Sequence, residues 1–135
     1  AGEVVKVARP ISALSGVAPA AKIVSLRTLN ERGRGPVSAI LEALDWIQQQ
    51  NELGRRLRIH GVNLSLGYDF DPEWFACGQS PLCVEVNRLV RSGVVVVAAA
   101  GNTGNGAALS INDPGNAEEA ITVGSTHRDM PHVYG

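Results

Sequence analysis

Val94-Val95-Val96-Val97-Ala98-Ala99-Ala100 is an unbroken apolar run that stops at Gly101-Asn102. Such a run fits a strand buried on both faces, as in a parallel sheet covered by helices. It falls far short of the roughly 18 to 20 apolar residues that cross a bilayer, so no membrane partner is expected. The rest of the chain must therefore supply strands beside this one and helices over it.

The flanking sequence has the periodicity to do so. Ala21 to Arg27 alternates apolar and polar residues and predicts a strand, with Pro19 just before it. Gly33-Arg34-Gly35 marks a turn, and Pro36 suits a first helical position, where a missing N–H is harmless. Val37, Ile40, Leu41, Leu44 and Ile47 follow at helical spacing as one buried stripe, and Gly54 ends the unit. Leu57 to Leu66 reads as a second strand and closes in Ser65-Leu66-Gly67, before a polar and aromatic loop from Tyr68 to Gln79. Ser80 is placed to cap a helix opened by Pro81. Leu82, Val86, Leu89 and Val90 line the inner face of that helix, and Gly93 stops it. The apolar run is the third strand, and Ala120 to Gly124 a short further one. Strands alternating with helices predict right-handed βαβ units in an α/β fold with a mostly parallel sheet.

With 135 residues, the chain suits one domain or part of one, and 44% hydrophobic residues permit a packed core. A net charge of −1 gives no electrostatic case for binding nucleic acid or an anionic membrane. No signal peptide opens the sequence, which starts at Ala1-Gly2 without a Met. Cys77 and Cys83 flank a Gly- and Pro-bearing loop. They can meet as a small disulfide, or remain two thiols with Cys83 on an apolar helix face, because sequence does not set their Cα separation.

Ligands of open α/β sheets sit outside the carboxyl ends of the strands. Two signals fall there, Ser65-Leu66-Gly67 and Gly101-Asn102, so these loops are expected to line one edge. By itself Gly101-Asn102-Thr103-Gly104 is a turn, since Asn and Gly tolerate positive φ. Its functional reading is an Asn102 amide aimed into a cleft, a donor suited to an oxyanion during acyl transfer. Ser65-Leu66-Gly67 is a plain strand end or, functionally, a backbone edge that pairs with an extended peptide. The turn Asn112-Asp113-Pro114-Gly115-Asn116 is either only a turn or the wall of a side-chain pocket. The Gly101, Gly104 and Gly106 spacing does not match G-x-G-x-x-G and no basic residue follows, so a phosphate loop ranks low. A flavodoxin-like nucleotide binder ranks last, because Thr28-Leu29-Asn30-Glu31 replaces phosphate-binding glycines after the first strand.

Taken together, the stretches Gly16 to Ile23, Val62 to Gly67, Val94 to Asn102 and Pro114 to Gly124 resemble successive blocks of the subtilisin-like (subtilase) serine peptidase domain, in the family's order. The resemblance implies a three-layer α/β/α fold and peptide-bond hydrolysis by a serine nucleophile. Under it Asn102 matches the oxyanion-hole asparagine. Ser65, Leu66 and Gly67 match the segment that bonds the substrate backbone and forms one side of the specificity pocket. Ala100 and Gly101 match the other side, and Asn112, Asp113 and Pro114 the pocket base. It also implies a peptide or protein substrate and a secreted protein. No cofactor is expected; calcium is common in the family, but no Asp/Asn cluster here matches a site.

The family's aspartate, His-Gly-Thr and Gly-Thr-Ser-Met blocks have no counterpart in this sequence, nor is there a Gly-x-Ser-x-Gly elbow. His60 reads as a structural or edge histidine inside a strand, and His127 and His132 as surface residues. The expectation is therefore an incomplete domain: residues 1–135 as the central part of a peptidase domain, with the histidine-bearing helix before it and the serine-bearing helix after it. Such a fragment would be inactive by itself, and the strand Val94 to Val97 would have an uncovered face that drives self-association. The rival reading is a catalytically inactive subtilase-like module that holds a peptide without cutting it.

Overall fold

Helix α1, Val37–Gln50, buries the stripe Ile40, Leu44 and Ile47 that its spacing predicts. Pro36 is its N-cap rather than its first residue, with extended backbone at φ −72 and ψ 149. The structure is a computed structural model, and it describes residues 15–68, 73–103 and 110–126. The later elements are β1 (Gly61–Leu64), α2 (Pro81–Arg91), β2 (Val95–Ala99) and β3 (Ile121–Val123). The strands form one parallel sheet in the order β1-β2-β3, with Leu64 beside Ala98 and Ala99 beside Val123.

Helix α2 starts where its sequence says it should. The Ser80 hydroxyl accepts the Cys83 N–H at 3.3 Å, and Pro81 takes the first helical position. Leu82, Cys83, Val86 and Leu89 are fully buried against α1 and the inner face of β2, which presents Val96 and Ala98. Removing each leucine-sized side chain from water contributes about 1.5–3 kcal/mol, so this α1–α2–β2 contact is the core. Gly93 ends the helical unit at φ +100, a conformation that would strain any side-chain-bearing residue.

Two strand expectations are corrected. The strand predicted from Leu57 begins only at Gly61, because the preceding backbone is held by a side chain instead. Asn51, fully buried, accepts the N–H groups of Arg58 and Ile59 at 2.9 Å and donates to the Ile59 carbonyl at 2.8 Å. His60 thus lies just outside β1 and is exposed, its carbonyl accepting the Val95 N–H at 3.0 Å. The strand predicted over Ala21 to Arg27 does not pair with the sheet. It runs at a distance from β1, and a 560 Å³ groove separates them, floored by Ile40, Leu44 and Ile47. Alternation alone produced that expectation, but a strand also needs a neighbour's free backbone within about 4.8 Å.

The apolar run is buried on one face only. Val96 and Ala98 point into the core, while Val95, Ile121 and Val123 are exposed on the opposite face. Among the described residues the molecule therefore builds two of the three expected layers, helices and sheet. Cys77 and Cys83 are both free thiols, the first exposed and the second buried. His127 and His132, and the loop residues Gly104 and Gly106, lie outside the described residues.

Candidate functional site

Because β1 and β2 are parallel neighbours in register, their carboxyl ends emerge side by side. Ser65-Leu66-Gly67 leaves β1 and Ala100-Gly101-Asn102 leaves β2 from the same edge. The turn at residues 112–116 then ties both exits together. The Asn112 N–H donates to the Ala100 carbonyl at 2.9 Å. Tyr68 and Asp113 exchange both backbone hydrogen bonds at 3.0 Å, an isolated antiparallel bridge.

These three segments enclose a cleft of 310 Å³. It is lined by Ser65, Leu66, Gly67, Gly101, Asn102 and Asn112, all expected from sequence, together with Tyr68, Ala99 and Thr103. Ala100 and Pro114 stand behind it. The Ala100 backbone is engaged on both sides, its N–H with the Val123 carbonyl and its carbonyl with Asn112. Pro114 is buried after a cis peptide bond. The three unexpected lining residues adjoin expected ones. Thr103 and Tyr68 follow Asn102 and Gly67, and Ala99 follows from the alternation of β2. Pairing each wall residue with its chain neighbours would have found them.

Glycine is required at one point of the wall and closely fitted at a second. Gly101 sits at φ +105, and a methyl group there would collide with the Asn112 carboxamide. A methyl on Gly67 would come within 3.1 Å of the Asp113 carbonyl and 3.2 Å of the Asn112 Cβ. The floor is thus packed directly against two bare backbones.

Behind the floor lies a polar cluster that, among the described residues, includes no cation. Asp113 is fully buried; its Oδ1 accepts from the Asn116 amide at 2.8 Å, and its Oδ2 has no well-formed hydrogen bond. The neighbouring Cys83 thiol is pushed up to about 12, first by burial and further by the Asp113 charge, with the Ser80 hydroxyl working the other way. Burial likewise raises the Tyr68 phenol, partly offset by its hydrogen bond to Ser80. Both groups stay neutral at ordinary pH, as a site away from solvent requires. The described residues that line the cleft are uncharged. Among its lining residues no histidine or carboxylate stands ready to take a proton from Ser65. What the lining offers is hydrogen bonding, from an exposed Asn102 carboxamide and from the backbone of the two strand ends. Among the described residues no three His, Cys, Asp or Glu side chains gather to hold a metal.

Residues 1–133 match the Peptidase S8, or subtilase, family. Serine protease AprX of Bacillus subtilis is 35% identical over 113 residues, covering 82% of this chain and 24% of the relative. Minor extracellular protease Epr of the same organism is 32% identical over 84% of this chain and 15% of its own length. Subtilisin BL of Lederbergia lenta is 34% identical over 84% of this chain and 36% of its own length. The chain thus spans between 15% and 36% of these relatives. With a family match over nearly all its residues, and with parallel strands bounding a cleft at their carboxyl ends, the chain belongs to the subtilase family.

Proposed function

We propose that this chain contributes the oxyanion hole and substrate cleft of a serine-type endopeptidase. The serine, histidine and aspartate would be supplied by other parts of a longer polypeptide. The observation that carries the reading is the convergence of Ser65-Leu66-Gly67 and Gly101-Asn102 on one cleft whose described lining is uncharged. An extended peptide lies with its backbone along Ser65-Leu66-Gly67, as an added strand would. A serine hydroxyl attacks the scissile carbonyl while a histidine takes its proton and an aspartate orients that histidine. The Asn102 amide donates to the oxygen as it gains negative charge. Loss of one such donor costs about 10²- to 10³-fold in turnover, a magnitude taken from the subtilisin asparagine itself. The glycines matter here because a substrate backbone must approach the wall closely.

The reading invokes no cofactor. Secretion is proposed by analogy with the minor extracellular protease Epr. No described helix is long and apolar enough to cross a membrane.

The test compares the 135-residue chain with the full-length protein, using a chromogenic peptide and a serine-reactive fluorophosphonate. The expected result is labelling and hydrolysis by the full-length protein and neither by the chain. Labelling of the chain would overturn the division of labour. A full-length protein that binds peptides without labelling or cleavage would make this a peptide-binding module. The chain alone should also associate, because Val95, Ile121 and Val123 are each more than half exposed on one sheet face. Light scattering that reports a monomer stable to dilution would contradict this.

A further inference from the structure

Asn63 is a polar residue in an apolar place. It lies in β1 beside Val97, which in turn lies beside Ile121, so one row across the sheet reads asparagine, valine, isoleucine. Asparagine is disfavoured in strands, and its neighbours in the row carry no polar side-chain group. Its side chain bonds Ser65 instead, two positions on and on the same face of the strand. The Asn63 Nδ2 donates to the Ser65 Oγ at 2.9 Å. The two residues line different recesses, Asn63 the 560 Å³ groove beside β1 and Ser65 the 310 Å³ cleft. The bond therefore reaches from outside the cleft to a hydroxyl within it. A serine hydroxyl has one proton to give and two lone pairs to accept with. Here the Asn63 amide takes a lone pair, and no other group among the described residues bonds the hydroxyl. Its own proton is left to donate, directed away from Asn63.

We propose that Asn63 is a positioning residue, which holds the Ser65 hydroxyl as a donor to a backbone carbonyl of the peptide in the cleft. This rests on the endopeptidase reading above, in which the peptide lies along Ser65-Leu66-Gly67. Asn102 serves the attacked carbonyl from the β2 side, which leaves Ser65, on the β1 side, a carbonyl elsewhere along the peptide. A bound peptide excludes water from that edge, and a hydrogen bond counts for more where water is excluded. The contact is made equally before and during the reaction, so its loss belongs in KM and not in kcat.

The experiment uses the full-length protein, a chromogenic peptide and variants at both positions. Asn63→Asp keeps the shape of the side chain but turns the donor into an acceptor. The Ser65 proton then goes to the carboxylate, and KM should rise by about 10-fold, the worth of roughly one hydrogen bond, with kcat little changed. Asn63→Ala only frees the hydroxyl to turn and should raise KM less. A purely structural asparagine predicts the reverse order, since aspartate fills its space and alanine does not. In a Ser65→Ala background, Asn63→Asp should change KM no further. Ser65→Ala by itself should raise KM, while Ser65→Thr, which keeps a hydroxyl, should stay near wild type. Thermal melts identify variants that fold, and if neither Asn63 variant folds, the two Ser65 variants decide. An alanine at 63 worse than aspartate, a Ser65→Ala protein with wild-type KM, or a loss confined to kcat overturns the proposal. A wild type that neither cleaves peptides nor takes up a fluorophosphonate overturns the endopeptidase reading beneath it.

Discussion

The α1–α2–β2 core and the segment from Gly16 to Pro36 carry similar apolar side chains and meet opposite fates. Leu82, Val86 and Leu89 have no exposed surface, while Ile23 is 89% exposed and Val24 57%. The difference lies in what each element needs. A helix satisfies its own backbone and asks its neighbours only for an apolar face. A strand is incomplete until another strand's edge accepts its N–H and carbonyl groups. The segment at residues 21–27 has the alternation of a strand but does not pair with the outer edge of β1, from which a groove separates it. The α2 region has Ser80, Pro81 and Gly93 at its ends and its partners within reach.

The largest expected effect of this contrast is on stability. Leu89→Ala should lower the unfolding free energy by about 2–5 kcal/mol through lost burial and a cavity. Ile23→Ala should stay within about 0.5 kcal/mol, as exposed substitutions usually do. Denaturant unfolding of both variants measures the gap, and equal losses would erase the distinction between the two regions.

A smaller contrast concerns two asparagines that both organise turns. Asn51 is buried and bonds three backbone groups of Arg58 and Ile59; Asn30 is exposed and accepts the N–H groups of Arg32 and Arg34 at 2.9 and 3.0 Å. Asn51→Ala leaves polar groups without partners in a protected turn and should cost about 1–3 kcal/mol. Asn30→Ala should cost less, because water replaces the lost acceptor. Hydrogen exchange at Arg58 and Ile59 should speed up in the first variant, and similar melting temperatures for the two would argue against the role of burial.

A further effect is visible only in alkali. The folded Cys83 thiol keeps its proton up to about 12, whereas the unfolded thiol releases it near 9.0. Its contribution is therefore intact below pH 9 and drains away as pH climbs from 9 towards 12. Cys83→Ala should flatten that part of the stability profile, measured by denaturation at successive pH values. Ellman's reagent at pH 8 should react with exposed Cys77 and spare Cys83 until the protein unfolds. Fast reaction of both thiols in the native state would mean that the helix face is open.

Much of the fold was legible because its signals are local. The buried stripe of α1, the Ser80-Pro81 start of α2 and the apolar run of β2 each depend on residues a few positions apart. The start of β1 was not legible, since Asn51 reaches across the turn to hold residues that otherwise read as strand. The cleft was legible in outline, at Ser65 to Gly67, Gly101 and Asn102, because parallel strands leave their carboxyl ends on one edge. Tyr68, Ala99 and Thr103 were missed, although Tyr68 and Thr103 adjoin expected wall residues and Ala99 follows the alternation of β2.

The chain's residues by themselves dictated the helices, their caps, the central strand and the family. Those depend on spacing, on side-chain capping and on glycine at strained turns, all written along one short stretch at a time. Folding in three dimensions decided which strand lacks a partner, which face of β2 is covered, and that Asn112 stands between Gly67 and Gly101. Each of these joins segments tens of residues apart, and no local pattern encodes the distance between two backbones that meet only once the sheet has formed.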